Sequence, residues 1–239
     1  MRIVAWNLGH QTLERKIPAT FIEAVKSLVP DILILNEYVH GVSRKGLVAD
    51  LAELGLLACG VSDPIPKQNQ VLMASRVPQV PGDLNAPQTT PAATANFLHV
   101  LLPSRDLEVV GLRAPAYGDR AQLETYWREV EGLVLSSVQR RILFVGDLNC
   151  DPDRPTKPGG RVLQRLRAAG WYVPSPCGDW SFISKNGQRS SRIDHAICSP
   201  MLRPPAARYT PRINGLVLAG STSELAISDH APLVLDVEW

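Results

Sequence analysis

The sequence has few of the features that mark specialised protein classes. Its four cysteines are widely separated and form no CxxC pair, which excludes a disulfide framework and argues against a cysteine-based zinc site. No apolar run reaches the roughly 18 residues that a membrane-spanning helix requires. No secretory signal precedes the first apolar strand, and we therefore expect a cytoplasmic protein with no membrane span.

A large excess of charge is also absent. The 25 basic and 23 acidic residues leave a formal net charge of +2. This balance differs from that of strongly cationic proteins that coat nucleic acid, although it permits a local basic patch. The 45% of hydrophobic residues is enough for a full core, which excludes a disordered or fibrous protein. We expect a monomer and predict no protein partner.

Short apolar runs and helical spacing predict the secondary structure. The runs rich in Val, Ile and Leu predict buried strands at Ile3–Trp6, Asp31–Leu35, Gln70–Ala74, Phe97–Leu102, Leu107–Leu112, Arg141–Val145, Ile193–Cys198 and Leu233–Val237. Three- and four-residue spacing predicts helices at Ala19–Leu28, Gly46–Leu57, Arg120–Ser137 and Gly160–Ala169. The proline-rich stretch Val77–Ala95 predicts a surface loop. Because strands outnumber helices, we expect mixed or antiparallel sheets with the helices packed outside.

Polar side chains end several of the strongest predicted strands. These residues are Asn7, Asn36, Glu37, Asp147 and Asn149. Near the C-terminus, Asp229 and His230 precede an apolar strand instead of following one. Strands that meet at one edge of a sheet would bring these groups together, where ligands usually bind. Each residue alone also has an ordinary interpretation as a turn or capping residue.

An ordered set of motifs resembles a known superfamily. The motifs are WN at 6–7, a strand ending in Glu37, VGDLN at 145–149, WSF at 180–182, SRIDHAICS at 191–199 and ISDHAPL at 227–233. They resemble the endonuclease/exonuclease/phosphatase superfamily, which includes exonuclease III, apurinic endonucleases and DNase I. The resemblance covers nearly the whole chain, so we interpret residues 1–239 as one domain. It implies a four-layer α/β sandwich, with two mixed sheets face to face and helices outside, and hydrolysis of phosphoesters with Mg²⁺ or Mn²⁺.

The resemblance, together with the chemistry of phosphodiester cleavage, implies a role for each residue. A hard divalent cation prefers carboxylate and amide oxygens, so the expected metal ligands are Glu37, Asn7 and Asp229. For Asp229, binding through a water and pairing with His230 are both left open. The expected catalytic residues are Asp147, Asn149, Asp194 and His230. In this scheme Asp147 accepts a proton from water, Asn149 orients the water or binds a phosphate oxygen, and Asp194 holds His230 protonated. The identity of the general base is left open.

Two positions depart from the family pattern. Apurinic endonucleases carry an acid two residues after the first Asn, where this chain has Gly9, so one outer metal ligand is absent. The segment EVVGLRAPAY aligns with the one that supplies a Tyr or His to the phosphate, and the aligned residue is Arg113. Because arginine is a permanent two-pronged phosphate donor, we hypothesise that Arg113 is catalytic and clamps the phosphate. Tyr117 is an alternative donor, and pairing of Arg113 with a nearby acid is the competing interpretation.

Residues around these motifs are candidates for substrate binding. Trp180 and Phe182 are suited to stacking on a base, and packing in the core is the equal alternative. Arg189 and Lys185 lie in the turn that follows and are suited either to touching a phosphate backbone or to simple solvation. His195 follows Asp194 on one strand and faces the opposite side, so we interpret it as structural.

Three functions are compatible with these observations. The first is a metal-dependent nuclease acting on DNA or RNA, which makes nucleic acid the expected substrate. The second is a phosphatase or phosphodiesterase acting on a small-molecule or lipid phosphoester. The third is a non-catalytic domain that has kept the fold, which the intact set of acidic and histidine residues argues against.

Overall fold

The computed structural model describes residues 1–9, 17–41, 44–65, 68–116 and 118–238. The helices in these ranges are α1 (Ala19–Leu28), α2 (Arg44–Glu53), α3 (Pro91–Ala95), α4 (Arg120–Ser136) and α5 (Pro158–Ala168). The strands are β1 (Arg2–Asn7), β2 (Ile32–Tyr38), β3 (Ala58–Val61), β4 (Gln70–Ser75), β5 (Val80–Pro81), β6 (Phe97–Leu102), β7 (Leu107–Arg113), β8 (Ile142–Asp147), β9 (Phe182–Ile183), β10 (Ser190–Ser191), β11 (Asp194–Cys198), β12 (Ala206–Tyr209), β13 (Arg212–Ile213), β14 (Leu216–Val217) and β15 (Leu233–Asp236).

Two mixed sheets pack face to face to form the centre of the molecule. One sheet has the strand order β12-β15-β1-β2-β4-β3 and the other has the order β11-β8-β7-β6-β5. The pairs β1–β2 and β7–β8 are parallel, and the other pairs within these two sheets are antiparallel. Helices α1 and α2 cover the outer face of the first sheet, and α4 and α5 cover that of the second. The predicted four-layer α/β sandwich is confirmed.

The predicted elements all have counterparts, with local differences at their ends. Helix α2 ends at Glu53, earlier than predicted, because Gly55 takes a φ of +87° and the Leu56 N–H returns to the carbonyl of Leu51. The stretch from 77 to 95, predicted as a loop, contains β5 and the short helix α3. Thr90 caps α3, because its hydroxyl accepts a hydrogen bond from the Ala93 N–H at 3.1 Å. No helix in the described ranges is long and apolar enough to cross a membrane.

Strand alternation decides which side chains face the space between the sheets. In β1, Ile3 and Ala5 pack against the second sheet, while Val4 and Trp6 pack under the helices. Asn7 continues the first series and therefore faces inward. The same alternation on β2, β7, β8 and β11 brings four further polar side chains to inner faces near one edge. They are Asn36, Arg113, Asp147 and Asp194.

Gly146 lies where the backbone of β8 passes too close to β7 to leave space for a side chain. Its φ is +147°, and an added Cβ would overlap the carbonyl oxygen of Leu112 on the neighbouring strand. We expect Gly146→Ala to lower the free energy of unfolding by about 3 kcal/mol or more, because it combines backbone strain with a clash against backbone. Urea denaturation followed by circular dichroism measures the effect.

Gly132→Ala on α4 is the matched control. Gly132 lies in the exposed part of the helix, and an added Cβ would meet no atom within 4 Å. We expect this variant to be neutral or stabilised by up to ~1 kcal/mol, since alanine favours helix over glycine. Equal urea midpoints for Gly146→Ala and the wild type would contradict the proposed constraint at β8.

Candidate active site

A cleft of about 760 Å³ opens at the edge where β1, β2, β7 and β8 end. The predicted site residues that line it are Glu37, Arg113, Asp147, Asn149, Asp229 and His230. Asn7 and Asp194 are not among the described lining residues, because both are buried directly behind them. The cleft therefore brings together side chains from both sheets, as the pattern of polar strand ends predicted.

Asp147 is the centre of this cluster. Its Oδ2 accepts hydrogen bonds from the side-chain amides of Asn7, at 2.8 Å, and Asn149, at 3.1 Å. Its Oδ1 accepts a hydrogen bond from the Asn149 backbone N–H at 3.0 Å. Burial and the negative charge of Asp194 raise the pKa of Asp147 to about 6, against the lowering effects of His230 and Arg113. A carboxylate with this pKa is well suited to accept a proton near neutral pH.

Asn7 and Asn149 hold Asp147 in place. The Asn7 side-chain oxygen accepts the Gly9 N–H at 2.9 Å while its amide donates to Asp147. The Asn149 amide donates to the carbonyl of Ala114 at 2.8 Å as well as to Asp147. Asn149 reaches this position with a φ of +49°, a conformation that asparagine tolerates. Metal binding by Asn7 and phosphate binding by Asn149 stay predictions, and the described contacts favour an orienting role for both amides.

Asn36 is a site residue to which the sequence analysis gave no role. It is fully buried, and its side-chain oxygen accepts the Asp147 N–H at 3.0 Å. Its amide donates to the carbonyl of Leu112 at 3.2 Å, so one side chain of the first sheet binds two strands of the second. The available signal was its place beside Glu37 at the end of a strongly apolar strand.

Glu37 is turned into the cleft by local backbone distortion. Alternation would point it toward the helices, but its φ is +56° and the pairing of β2 with β4 shifts register between Leu35 and Tyr38. A non-glycine residue in this conformation is uncommon and marks a site where the backbone is constrained. The carboxylate, only 6% exposed, meets the Arg113 guanidinium, with Oε1 to Nη2 at 2.7 Å.

His230 and Asp194 form a buried pair. The His230 Nδ1 lies 2.9 Å from the Asp194 Oδ2, and the side chains are 7% and 2% exposed. Burial alone would lower the pKa of His230, but the charge and hydrogen bond of Asp194, with a contribution from Asp147, raise it to about 9. The Ser181 hydroxyl supports the pair by accepting the Asp194 N–H at 3.1 Å. The arrangement predicted for His230 and Asp194 is therefore present in the structure.

Asp229 occupies the space beside Gly9. An atom added as Cβ at Gly9 would lie 2.6 Å from the Asp229 Oδ1, and Gly9 has a φ of +60°. An acidic side chain at position 9 would therefore conflict with both the backbone and Asp229. Asp229 lines the cleft and is partly exposed, which leaves its carboxylate accessible from the cleft.

The donor set at the cleft fits a hard divalent cation. Glu37, Asp147 and Asp229 present carboxylate oxygens, the ligand type that Mg²⁺ and Mn²⁺ prefer. Ligand atoms of Asp147, Asp194 and His230 lie within 4.8 Å of one another. Burial, followed by the negative charge of Asp194, raises the pKa of Asp147, and a bound cation would favour its charged form.

A second cluster of acids and histidine has a different character. Asp83, in the loop after β5, lies close to His99 on β6 and Glu108 on β7. The Arg140 guanidinium binds both acids, and the two His99 nitrogens are used by Glu108, at 2.9 Å, and by the Leu84 N–H, at 3.1 Å. These contacts satisfy the cluster internally, so its role is structural.

The predicted substrate-binding residues take different places. Trp180 packs against the core between the sheets and is not among the described residues that line the cleft. Its position therefore supports the core interpretation over stacking on a base. Phe182 does line the cleft, with its ring centroid 5.0 Å from that of His230. Arg189 is exposed on the β9–β10 hairpin outside the lining, and Tyr117 lies outside the described residues.

His195 faces away from the cleft, in agreement with its interpretation as structural. It is 1% exposed, and its Nε2 lies 2.8 Å from the Arg192 carbonyl oxygen. Burial lowers the pKa of His195 below its ordinary value. A neutral histidine on the helix-facing side of β11 takes no part in the chemistry of the cleft.

Three cationic side chains line the rim of the cleft. From the sequence, two of them had no predicted role, and the role of the third, Lys185, was left open. Arg154 and Lys157 come from the loop before α5, and Lys185 comes from the β9–β10 hairpin. The Lys157 Nζ donates to the Asn149 carbonyl at 3.2 Å, which places this ammonium next to the Asp147 cluster. Within the described part of the chain, no carboxylate pairs with these three side chains. The loop from 151 to 157 also contains acids, so composition gave no signal for its two cations.

Comparisons with known proteins agree with this geometry. The Endonuclease/Exonuclease/phosphatase family matches residues 4–230. Similar solved structures include an AP endonuclease from Archaeoglobus fulgidus, with a TM-score of 0.75, 15% identity and full coverage of both chains. Another is the 3′ phosphatase NExo from Neisseria bound to a product DNA hairpin, with a TM-score of 0.71, 19% identity and full coverage of both chains.

Truncated TDP2 from Caenorhabditis elegans is also similar, with a TM-score of 0.66 and 16% identity over 98% of this chain and 96% of that one. No curated protein matches the sequence. The family match nonetheless extends over most of the chain, from the first strand to the histidine of the site. This protein therefore belongs to the endonuclease/exonuclease/phosphatase family of phosphoester hydrolases.

Proposed function

We propose that this protein is a nuclease that uses Mg²⁺ or Mn²⁺ to hydrolyse phosphodiester bonds of DNA or RNA. The observation that carries the proposal is the joint placement of Asp147, the Asp194–His230 pair and Glu37 at one cleft. This set provides a proton acceptor, a protonated histidine and a carboxylate ligand for a cation. Each kind of group can lower the barrier to phosphodiester hydrolysis, because the substrate is anionic and water is a weak nucleophile.

The side chains of the cleft divide the work. Glu37 and Asp229 would hold a divalent cation, which would neutralise phosphate charge and make water easier to deprotonate. Asp147, held by the amides of Asn7 and Asn149, accepts the proton of the attacking water. His230 is kept protonated by Asp194 and donates a charged hydrogen bond to a non-bridging phosphate oxygen.

The rim of the cleft supports a polymeric substrate. Arg154, Lys157 and Lys185 surround an acidic floor with positive charge. Cations at the rim of the cleft are suited to binding the phosphates next to the reacting one in a nucleic acid strand. Phe182, at the side of His230, offers an aromatic surface to a base or sugar. Similar structures include a protein solved with a DNA hairpin, which agrees with this choice of substrate.

Removal of metal or of the proton acceptor tests the central proposal. We expect EDTA to abolish cleavage of DNA and RNA oligonucleotides and added Mg²⁺ or Mn²⁺ to restore it. Asp147→Asn removes the basic carboxylate at nearly constant shape and is expected to lower kcat by roughly 10²–10⁴-fold, the usual contribution of a general base. The control is Asp106→Asn, which changes an exposed acid before β7 and keeps a residue type that tolerates its φ of +44°.

Gel analysis of labelled oligonucleotides and release of inorganic phosphate from sugar phosphates are measured together. Cleavage of oligonucleotides that fails in both EDTA and Asp147→Asn supports a metal-dependent nuclease. Phosphate release from sugar phosphates without any oligonucleotide cleavage would contradict the nuclease function and indicate a phosphatase acting on small molecules. Full activity of Asp147→Asn would remove this residue from the mechanism.

The pH dependence of kcat tests the role of His230. Since its pKa is raised from 6.5 to about 9, the protonated form persists at neutral pH and is lost as the pH rises through 9. We expect kcat to fall on this alkaline side. Asp194→Asn removes the charge that contributes most to raising the pKa, so the fall should move to lower pH. An alkaline limb at the same pH in Asp194→Asn and wild type would exclude His230 as its source.

Neutralising the rim tests the substrate class. We expect the double variant Arg154→Gln/Lys157→Gln to raise KM for an oligonucleotide and to reduce the dependence of kcat/KM on salt. Binding releases counterions from each phosphate that the protein contacts, so fewer contacts mean fewer released counterions. The matched control is Lys26→Gln, which removes a charge from the exposed side of α1. An unchanged salt dependence in the double variant would show that these side chains make no phosphate contacts.

A further inference from the structure

Arg113 lies between two carboxylates of the cleft. Its Nη2 is 2.7 Å from the Glu37 Oε1, and its Nε is 3.7 Å from the Asp147 Oδ2. The arginine side chain is 18% exposed, and the two acids are 6% and 2% exposed, so solvent screens these charges weakly. A permanent positive charge is therefore fixed against the carboxylate that is the best candidate for a metal ligand.

A guanidinium and a divalent cation compete at such a carboxylate. Both are attracted to Glu37, and at this separation they repel each other in a poorly screened environment. Because the charge of a guanidinium is permanent, the repulsion remains as long as Arg113 stays at Glu37. A tyrosine or histidine, the residue types that the family resemblance implies at this position, would bring no permanent charge.

The guanidinium also has capacity for a second anion. Its Nε is buried and has no hydrogen-bond partner in the described part of the chain. Arg113 lines the cleft, and the planar fork of arginine binds carboxylate and phosphate with the same two-pronged geometry. A phosphate group entering the cleft therefore offers the guanidinium an alternative to Glu37.

We propose that Arg113 couples the binding of the divalent cation to the binding of the substrate phosphate. A phosphate bound to Arg113 draws the guanidinium away from Glu37, and the cation then binds Glu37 more tightly. Linkage makes the effect reciprocal, so bound metal strengthens phosphate binding by the same factor. The inference rests on the proposed function, since it takes Glu37 as a metal ligand. It makes Arg113 a device that favours metal binding when substrate is present.

Mn²⁺ binding to the intact protein measures this coupling without relying on activity. Protein freed of metal is titrated with Mn²⁺, and free Mn²⁺ is followed by electron paramagnetic resonance with and without inorganic phosphate. A titration without protein corrects for direct association of Mn²⁺ with phosphate. For the wild type we expect phosphate to tighten Mn²⁺ binding about tenfold, within the usual range of coupling between two sites.

Variants at position 113 separate coupling from simple phosphate binding. Arg113→Gln removes the competing charge, so we expect it to bind Mn²⁺ about tenfold more tightly in the absence of phosphate, with a smaller effect of phosphate. Arg113→Lys keeps the charge but loses the fork and should lie between the two. The matched control is Arg105→Gln, which removes the same charge from an exposed turn before β7 and should leave Mn²⁺ binding unchanged.

The possible results distinguish failure of the coupling from failure of the proposed function. Equal or weaker Mn²⁺ binding by folded Arg113→Gln, with thermal melting used to verify folding, would overturn the coupling. Unchanged Mn²⁺ affinity of the wild type in phosphate would overturn it even if the variants do not fold. If the wild type cleaves oligonucleotides in either case, the proposed nuclease function stands. Absence of Mn²⁺ binding by the wild type would overturn both.

Discussion

The active-site cleft is organised around buried carboxylates that repel one another. Glu37, Asp147 and Asp194 are each at most 5% exposed and converge at one edge of the two sheets. Such charges are costly to bury unless cations and hydrogen-bond donors accompany them. Arg113 and His230 supply the cations, and the asparagine amides supply the donors. The large apolar core between the sheets stabilises the fold that holds these acids together. Groups of ionisable residues with perturbed pKa values are common at enzyme active sites.

Register between neighbouring strands brings the acids into contact. Arg113 pairs with Asp147 in the parallel arrangement of β7 and β8, and Asp194 pairs with Asp147 in the antiparallel arrangement of β8 and β11. Three charged residues therefore lie at one level on three adjacent strands, all facing the first sheet. A slip of one residue would turn each of them toward the helices, so the apolar alternation that fixes the core also fixes the chemistry.

Arg113 shows how one substitution changes the balance of the site. Its residue type and position are compatible with two roles, a phosphate clamp and a partner of a nearby acid. The structure shows the pairing with an acid, because Arg113 contacts Glu37. The Arg113 Nε has no hydrogen-bond partner among the described residues and could still bind a phosphate. The two interpretations are compatible when the acid and the phosphate bind the guanidinium in turn. Coupling between metal and substrate then follows from the position of a single charge.

The sequence predicted the main strands, the helices and the identity of most cleft residues, because alternation and helical spacing are local properties of the chain. It also predicted the pairing of Asp194 with His230 and the outward face of His195. The tertiary structure was needed to show that Asn36 joins the two sheets and that Trp180 packs against the core while Phe182 reaches the cleft. It also decided that Glu37 turns inward through a positive φ and a register shift. These features depend on contacts between distant segments, which no local pattern records.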